Sequence, residues 1–451
     1  MIAFATLLLG LISGVYPIEV TVGGAVTAVE ITLDGAPAGR LEGPPWVARV
    51  DLGSDLRPRE MTARGLDAEG REVARVTQWL NLPRPPAEVE IVLENGADSA
   101  PRAAVLTWQS VSGVKPVSIG LTLDGRPLVV DEKGYAPLPP SNLKVLHVLT
   151  AELWFPPGLL ARKDVVFGGE YGSEVSTELT AVPVRVQQGS SLPPIERLEG
   201  WFASASQPLP VAAVEDGPGK VIFVRLPDGI EIMDKLFPRR GPKPVTGFST
   251  GFGKEVSTAK EDRAFGFRYE MRLRKEDKVR FLSLSSSPYR DSRVPAELFD
   301  ISREVRYEDG GLFFHLTNSR VLAGPEGQKR RVADAVAVAG LQATAENYRR
   351  AVVLVLGRDD EDASRYDPET VRKYLESIRV PLFVWSLYGP NTAAAKRWGK
   401  AEDISTVVKL GTAVRKLRSE LEAQRIVWLE GRYLPQAITL SPSAQGVDLP
   451  R

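Results

Sequence analysis

Few residues of this chain could do chemistry. It holds 451 residues, no cysteine and two histidines. Disulfides, thiolate zinc sites, iron–sulfur clusters and cysteine nucleophiles are excluded, because each needs a thiol. His147 and His315 are the sole candidates for imidazole chemistry. They lie in the strand-like runs KVLHVLTAEL and LFFHL, and no G-x-S-x-G nucleophile turn exists in the sequence. Ser285-Ser286-Ser287 follows a strand-like run and reads as a loop. Gly247 to Lys254 (GFSTGFGK) falls short of a phosphate-binding loop: Phe248 stands where the first Gly belongs and Glu255 where Ser or Thr belongs. The acidic run Asp359-Asp360-Glu361-Asp362 could take up calcium, but a solvated loop of carboxylates is the weightier reading. The basic stretch Pro238 to Pro244 (PRRGPKP) reads as an ordinary solvated loop. A glycosidase acid pair could be any two of 57 acids, and nothing singles one out.

The charges balance, 57 basic against 57 acidic residues, which removes a whole-chain argument for nucleic acid or anionic membrane. Hydrophobic residues at 43% and charged ones at 25% are globular values, so the chain has enough apolar material for several cores. Ile2 to Ile12 (IAFATLLLGLI) is uncharged but far shorter than the ~20 residues a spanning helix needs. It matches the apolar stretch of an export signal, with Ser13-Gly14 at the cleavage edge and no basic residue before Arg40. A buried first strand is the other reading. Export is the expectation, with no stable transmembrane span in the mature protein.

Two segments repeat. Val29 to Pro37 (VEITLDGAP) and Ile119 to Pro127 (IGLTLDGRP) place Asp34 and Asp124 90 residues apart. Each alternates and then meets Asp-Gly, the signature of a tight hairpin. A second echo pairs Met61-Thr62-Ala63-Arg64 with Leu149-Thr150-Ala151-Glu152. Consecutive short-strand units of this kind predict β-sandwiches. From Val221 the texture changes. Short apolar runs (221–224, 278–284, 351–356, 381–387) alternate with helical patterns (333–345, 367–378, 406–424), which predicts a parallel sheet with helices on both faces.

The stretch VEITLDG…PPW…MTARGLDAEGREVA resembles bacterial immunoglobulin-like modules, well over residues 15 to 83 and loosely over 84 to 186. Such modules usually space or present something else. RRAVVLVLGRDDEDASRYDPETVRKYLESIRVPLFVWSLYG (Arg349 to Gly389) and the tail LRSELEAQRIVWLEGRYLP resemble von Willebrand factor A-type domains. That family implies a divalent metal at the carboxyl edge of the sheet, held by a D-x-S-x-S loop, a Thr and an Asp. Here the loop positions read Arg225, Pro227 and Gly229, the middle loop is Gly324 to Gln328 without Thr, and Gly357-Arg358 replaces the Asp. Two guanidinium groups about 4 Å from a dication would each cost several kcal/mol, so no metal and no cofactor are expected.

The expected architecture is two immunoglobulin-like β-sandwiches followed by a Rossmann-like, A-type doubly wound α/β domain. Its parts would be a signal segment (1–14), sandwiches at 15–83 and 84–186, a linker at 187–219, the A-type-like domain at 220–435 and a tail at 436–451. The expected function is non-enzymatic: a periplasmic or extracellular binding or scaffold protein that meets a protein partner. Contact would run through the former metal edge, at Arg225, Asp228, Gln328, Arg358, Asp359 and Asp360. A structural subunit of an exported assembly and a hydrolase of an extracellular polymer are the alternatives.

Overall fold

The structure, a computed structural model, describes residues 2–6, 8, 10–24, 26–83, 87–95, 100–110, 114–142, 145, 147–156, 158–168, 179–227, 229–237, 273–283, 300–301, 316, 330–358 and 361–450. Of the described residues, 44% are strand and 17% helix, so β-sandwich sheets set the class. Two compact units are present. One joins residues 1–83, 181–429 and 433–451, and the other joins 84–180 and 430–432.

In the first unit, seven strands come first: β1 (Ile2–Phe4), β2 (Val15–Val22), β3 (Ala28–Leu33), β4 (Ala36–Leu41), β5 (Val47–Asp51), β6 (Arg59–Leu66) and β7 (Glu72–Leu80). They form the sheets β1-β2-β5 and β4-β3-β6-β7. Alternation in β3 buries Val29, Ile31 and Leu33 against Val50 and Met61 of the shared core. Asp34 (φ 52°) and Gly35 (φ 78°) make the tight turn that the Asp-Gly signature predicts. The amino-terminal segment contributes to this sandwich. Ile2 to Phe4 pairs with β2, and Ile2, Phe4, Leu8 and Ile12 are buried in this core. An apolar run of eleven residues suits an export signal and a core edge equally, and here the sandwich has a place for it.

The second unit carries β8 (Ala87–Asn95), β9 (Pro101–Ser110), β10 (Ser118–Leu123), β11 (Arg126–Leu128), β12 (Tyr135–Pro137), β13 (His147–Phe155) and β14 (Leu159–Phe167). Its sheets, β11-β10-β13-β14 and β12-β9-β8, enclose Ile91, Leu106, Leu149, Leu153 and Phe155. Asp124 (φ 50°) and Gly125 (φ 76°) repeat the first hairpin.

Residues 187–219 are not a bare linker. The first unit resumes with β15 (Leu179–Val186), β16 (Phe202–Ser204), β17 (Gln207–Pro208) and β18 (Val211–Glu215), and Phe202 is fully buried. A six-stranded sheet follows: β19 (Gly219–Arg225), β20 (Lys278–Ser283), β21 (Asp300–Ile301), β22 (Arg349–Leu356), β23 (Leu382–Ser386) and β24 (Glu402–Asp403). Their order is β21-β20-β19-β22-β23-β24, parallel throughout except that β21 runs antiparallel to β20. The helices are α1 (Gly229–Leu236), α2 (Val332–Ala343), α3 (Pro368–Ser377), α4 (Ala393–Arg397) and α5 (Val407–Ala423). One sheet face packs Ile222, Val224, Val352 and Leu354 against α2, α3 and α4; the other packs Val221, Phe223, Val353 and Val355 against α1 and α5. Strands covered on both faces must be apolar at every position, which is why β19 and β22 read as unbroken runs. Asp367 accepts from the Thr370 N–H and Pro368 opens α3, so this helix starts where cap and proline dictate.

The expected tail is likewise structural. After β25 (Gln424–Glu430) come β26 (Ile438–Leu440) and β27 (Val447–Asp448), completing the sheets β18-β25-β15-β27 and β17-β16-β26. Val184, Phe202, Val427, Leu429 and Ile438 fill the core between them. This third β module is built from segments more than 200 residues apart, so no local pattern could announce it.

Candidate functional site

In an open parallel sheet the crevice lies outside the carboxyl ends of the strands, where the winding reverses. Here that point lies between β19 and β22. Arg225 ends β19 and Arg358 follows β22, as the sequence requires, but the two do different things. Arg225 is buried, and its Nη1 donates to the Leu316 carbonyl at 2.9 Å. A guanidinium spent on a buried carbonyl is a structural tie, so Arg225 does not present itself to a partner. Arg358 is exposed and lies over the Tyr388 ring, 5.2 Å from its centroid. Asp228, Gln328, Asp359 and Asp360 fall outside the described residues, as do His315, Ser285 to Ser287, Gly247 to Lys254 and Pro238 to Pro244.

The structure adds three residues at this edge. Lys235, on the last turn of α1, sits 4.8 Å from the centroid of the same Tyr388 ring. Glu231, one turn earlier on α1, accepts from the Tyr388 hydroxyl. Burial first, and the Glu231 carboxylate next, push the Tyr388 phenol above its ordinary value, so it stays a neutral donor. The result is one aromatic ring attended by two cations, a geometry worth roughly 0.5–1 kcal/mol per cation at an exposed site. The i, i+4 spacing of Glu231 and Lys235 and the tyrosine just past a buried strand were visible in the sequence. Their convergence was not, because it depends on how α1 crosses β23. Beyond them, Asp403 is taken by Lys409 at 2.6 Å and by the Ser405 N–H.

Among the described residues no three His, Asp or Glu side chains gather as a metal cage.

A second concavity, a 640 Å³ cavity in the first unit, is walled by Leu382, Phe383, Ile438 and Leu440 and carries Arg185, Arg379, Glu420 and Asp448. Arg185 reaches Asp448 at 3.2 Å and Glu420 at 3.5 Å, and Arg379 donates to the Ile438 carbonyl. The two acids thus share one arginine, the arrangement of an ion pair and not of a proton donor beside a nucleophile.

No protein-family model matches the chain, and no curated protein matches it. Solved structures similar to parts of it include the fibronectin(III)-like modules of Clostridium thermocellum CbhA (13% identity, 38% of this chain and 94% of that one, TM-score 0.15). The central fibronectin-III array of RIM-binding protein is similar at 10% identity over 46% of this chain and 78% of that one (TM-score 0.23). A Parabacteroides merdae β-glucuronidase is similar at 14% identity over 36% of this chain and 24% of that one (TM-score 0.16). These likenesses concern β-sandwich modules. The relation to A-type domains rests on the sequence resemblance alone.

Proposed function

We propose that the chain is a non-enzymatic, exported binding or scaffold protein. Its A-type-like α/β domain recognises an acidic group of a protein partner without a metal. The observation that supports this reading is the pair of cations, Lys235 and Arg358, held over Tyr388 at the carboxyl edge of the parallel sheet. A guanidinium and an ammonium preset on one ring lose little freedom on meeting a carboxylate, and Arg358 can do so bidentately. This site replaces the expected Arg225–Arg358 pair: the second cation is Lys235.

The test compares two baits, the wild type and a Lys235→Ala/Arg358→Ala variant, in quantitative pull-downs from native envelope fractions. An Arg418→Ala bait serves as an exposed-charge control. A partner held by wild type and control but lost from the double variant supports the proposal. Equal recovery on all three baits removes it.

A structural-subunit reading has its own support in the second unit. Trp154 and Leu160 face each other across β13 and β14, 45% and 44% exposed, beside Val117 at 72%. Exposed apolar groups so grouped on a sheet favour burial against another chain. Concentration-dependent self-association abolished by Trp154→Ser would favour that reading. The hydrolase reading would require Glu420 to leave its ion pair with Arg185 in the cavity it shares with Asp448. Release of reducing ends from a polysaccharide panel, lost in Glu420→Gln, would favour it.

A further inference from the structure

The two hairpin aspartates are clasped in the same way, with one telling difference. In the first module Asp34 Oδ1 accepts the Glu60 N–H at 3.0 Å, and Oδ2 accepts Arg59 Nη1 at 2.9 Å. In the second, Asp124 Oδ1 accepts the Val148 N–H at 2.8 Å, and Oδ2 meets His147 Nδ1 at 2.7 Å. The strand registers Leu33 to Met61 and Leu123 to Leu149 make Arg59 and His147 equivalent positions. Arginine is charged at any working pH, whereas histidine is not.

The other ring nitrogen sharpens the point. His147 Nε2 lies 3.2 Å from the Asn142 carbonyl, which can only accept. A neutral imidazole carries one N–H and can serve one of these two oxygens; the imidazolium serves both. We propose that His147 is a pH-sensitive clasp in the second β-sandwich: protonated, it ties the Asn142 turn to the β10–β11 hairpin, and on deprotonation it lets one of the two go. Among the described residues the charged group facing it is Asp124, beside which Arg126 of the same hairpin lies. Phe167 of β14, with its ring centroid 5.3 Å away, covers the imidazole without a charge. Lys144 is outside the described residues. The carboxylate bond is the stronger of the two, so the Asn142 contact is the one that opens. The Asn142 carbonyl also accepts the Val145 N–H at 2.9 Å, which makes that amide a reporter of the turn.

The experiment uses the full chain, whose two histidines make side-chain nitrogen spectra simple to assign. At about pH 5.5 both His147 N–H groups are expected. At about pH 8 one is expected, with Val145 amide exchange, corrected for its intrinsic rate, faster by roughly three- to tenfold, the worth of one hydrogen bond. His147→Arg should copy the first module and make that corrected exchange flat with pH. Asp124→Asn keeps an oxygen for Val148 but removes the charge, and should shrink the pH effect if the arginine variant folds poorly. Unchanged protection in the wild type between the two pH values overturns the proposal. So does a pH effect that persists in full in either variant.

Discussion

Arg349 and Arg350 are neighbours in β22, emerge on opposite faces of the sheet, and differ in what they meet. Arg349 is fully buried and donates to the Gly217 carbonyl at 2.6 Å, to the Leu421 carbonyl at 2.7 Å and to Asp277 Oδ1 at 3.2 Å. Arg350 is also buried, its Nε has no hydrogen-bond partner among the described residues, and desolvation alone brings the guanidinium down to about 10. Both are charged at neutral pH, but among the described residues only Arg349 has a carboxylate beside its guanidinium.

The two arginines should therefore respond oppositely to removal. Arg349→Ala takes the counter-charge from buried Asp277, leaving it the Gly219 and Arg274 N–H groups, and should cost about 3–5 kcal/mol in denaturant unfolding. In a cycle with Asp277→Ala the double variant should lose much less than the sum of the two single losses. Arg350→Met, which keeps volume and removes a buried charge with no carboxylate beside it among the described residues, should range from neutral to about 2 kcal/mol stabilising. A large loss in Arg350→Met would mean that this guanidinium has a counter-charge after all.

The first sandwich and the α/β sheet should unfold together. The Tyr374 hydroxyl, fully desolvated and held neutral by that burial, donates to the Asn81 carbonyl at 3.0 Å. The Asn81 side chain in turn pairs with both the N–H and the carbonyl of Ile12. Tyr374→Phe should cost about 1–2 kcal/mol by leaving a buried acceptor unpaired. Calorimetry should show the transition of this unit shifted as a whole; a shift confined to a separable sandwich transition would contradict the shared packing.

The amino-terminal segment should matter for stability. Phe4 is 3% exposed within the first core. Phe4→Ala should cost about 3 kcal/mol in urea unfolding of the chain beginning at Met1. A change below ~0.5 kcal/mol would show that the segment does not contribute to the core.

On the acid side, the second hairpin should weaken as Asp124 takes up a proton. The hydrogen bond from His147, and then that from the Val148 N–H, hold its carboxyl below the ordinary value of 3.8. A carboxyl lowered by folding contributes stability that is complete above its unfolded value and is lost as pH falls through the folded one. The difference in urea midpoint between wild type and Asp124→Asn should thus be full at about pH 5 and shrink towards about pH 2. A difference that stays constant over that range would refute the assignment.

Much of the element order was legible, because strands and helices here announce themselves by local periodicity. The runs at 221–224 and 351–356 lie within β19 and β22, and Asp367-Pro368 opens α3. The two Asp-Gly turns follow from the left-handed conformation that this pair tolerates. The misreadings occurred where one composition serves two structures. The Ser- and Pro-rich segment at 187–219 reads as a linker, yet it buries Phe202 and pairs β16 with β26 from the far end of the chain. At the candidate site, Arg358 could be named from its place after β22, whereas Lys235 and Tyr388 could not.

The amino-acid sequence by itself determined which chemistries are absent, where the repeats lie and which strands must be covered on both faces, since residue types and short periods are properties of neighbours. Tertiary structure alone decided that Arg225 is tied to a carbonyl while Arg358 faces out, that Arg349 meets the Asp277 carboxylate, and that His147 stands where the first module has Arg59. Those outcomes depend on partners tens to hundreds of residues away, and a charge takes its meaning from the groups that replace its water.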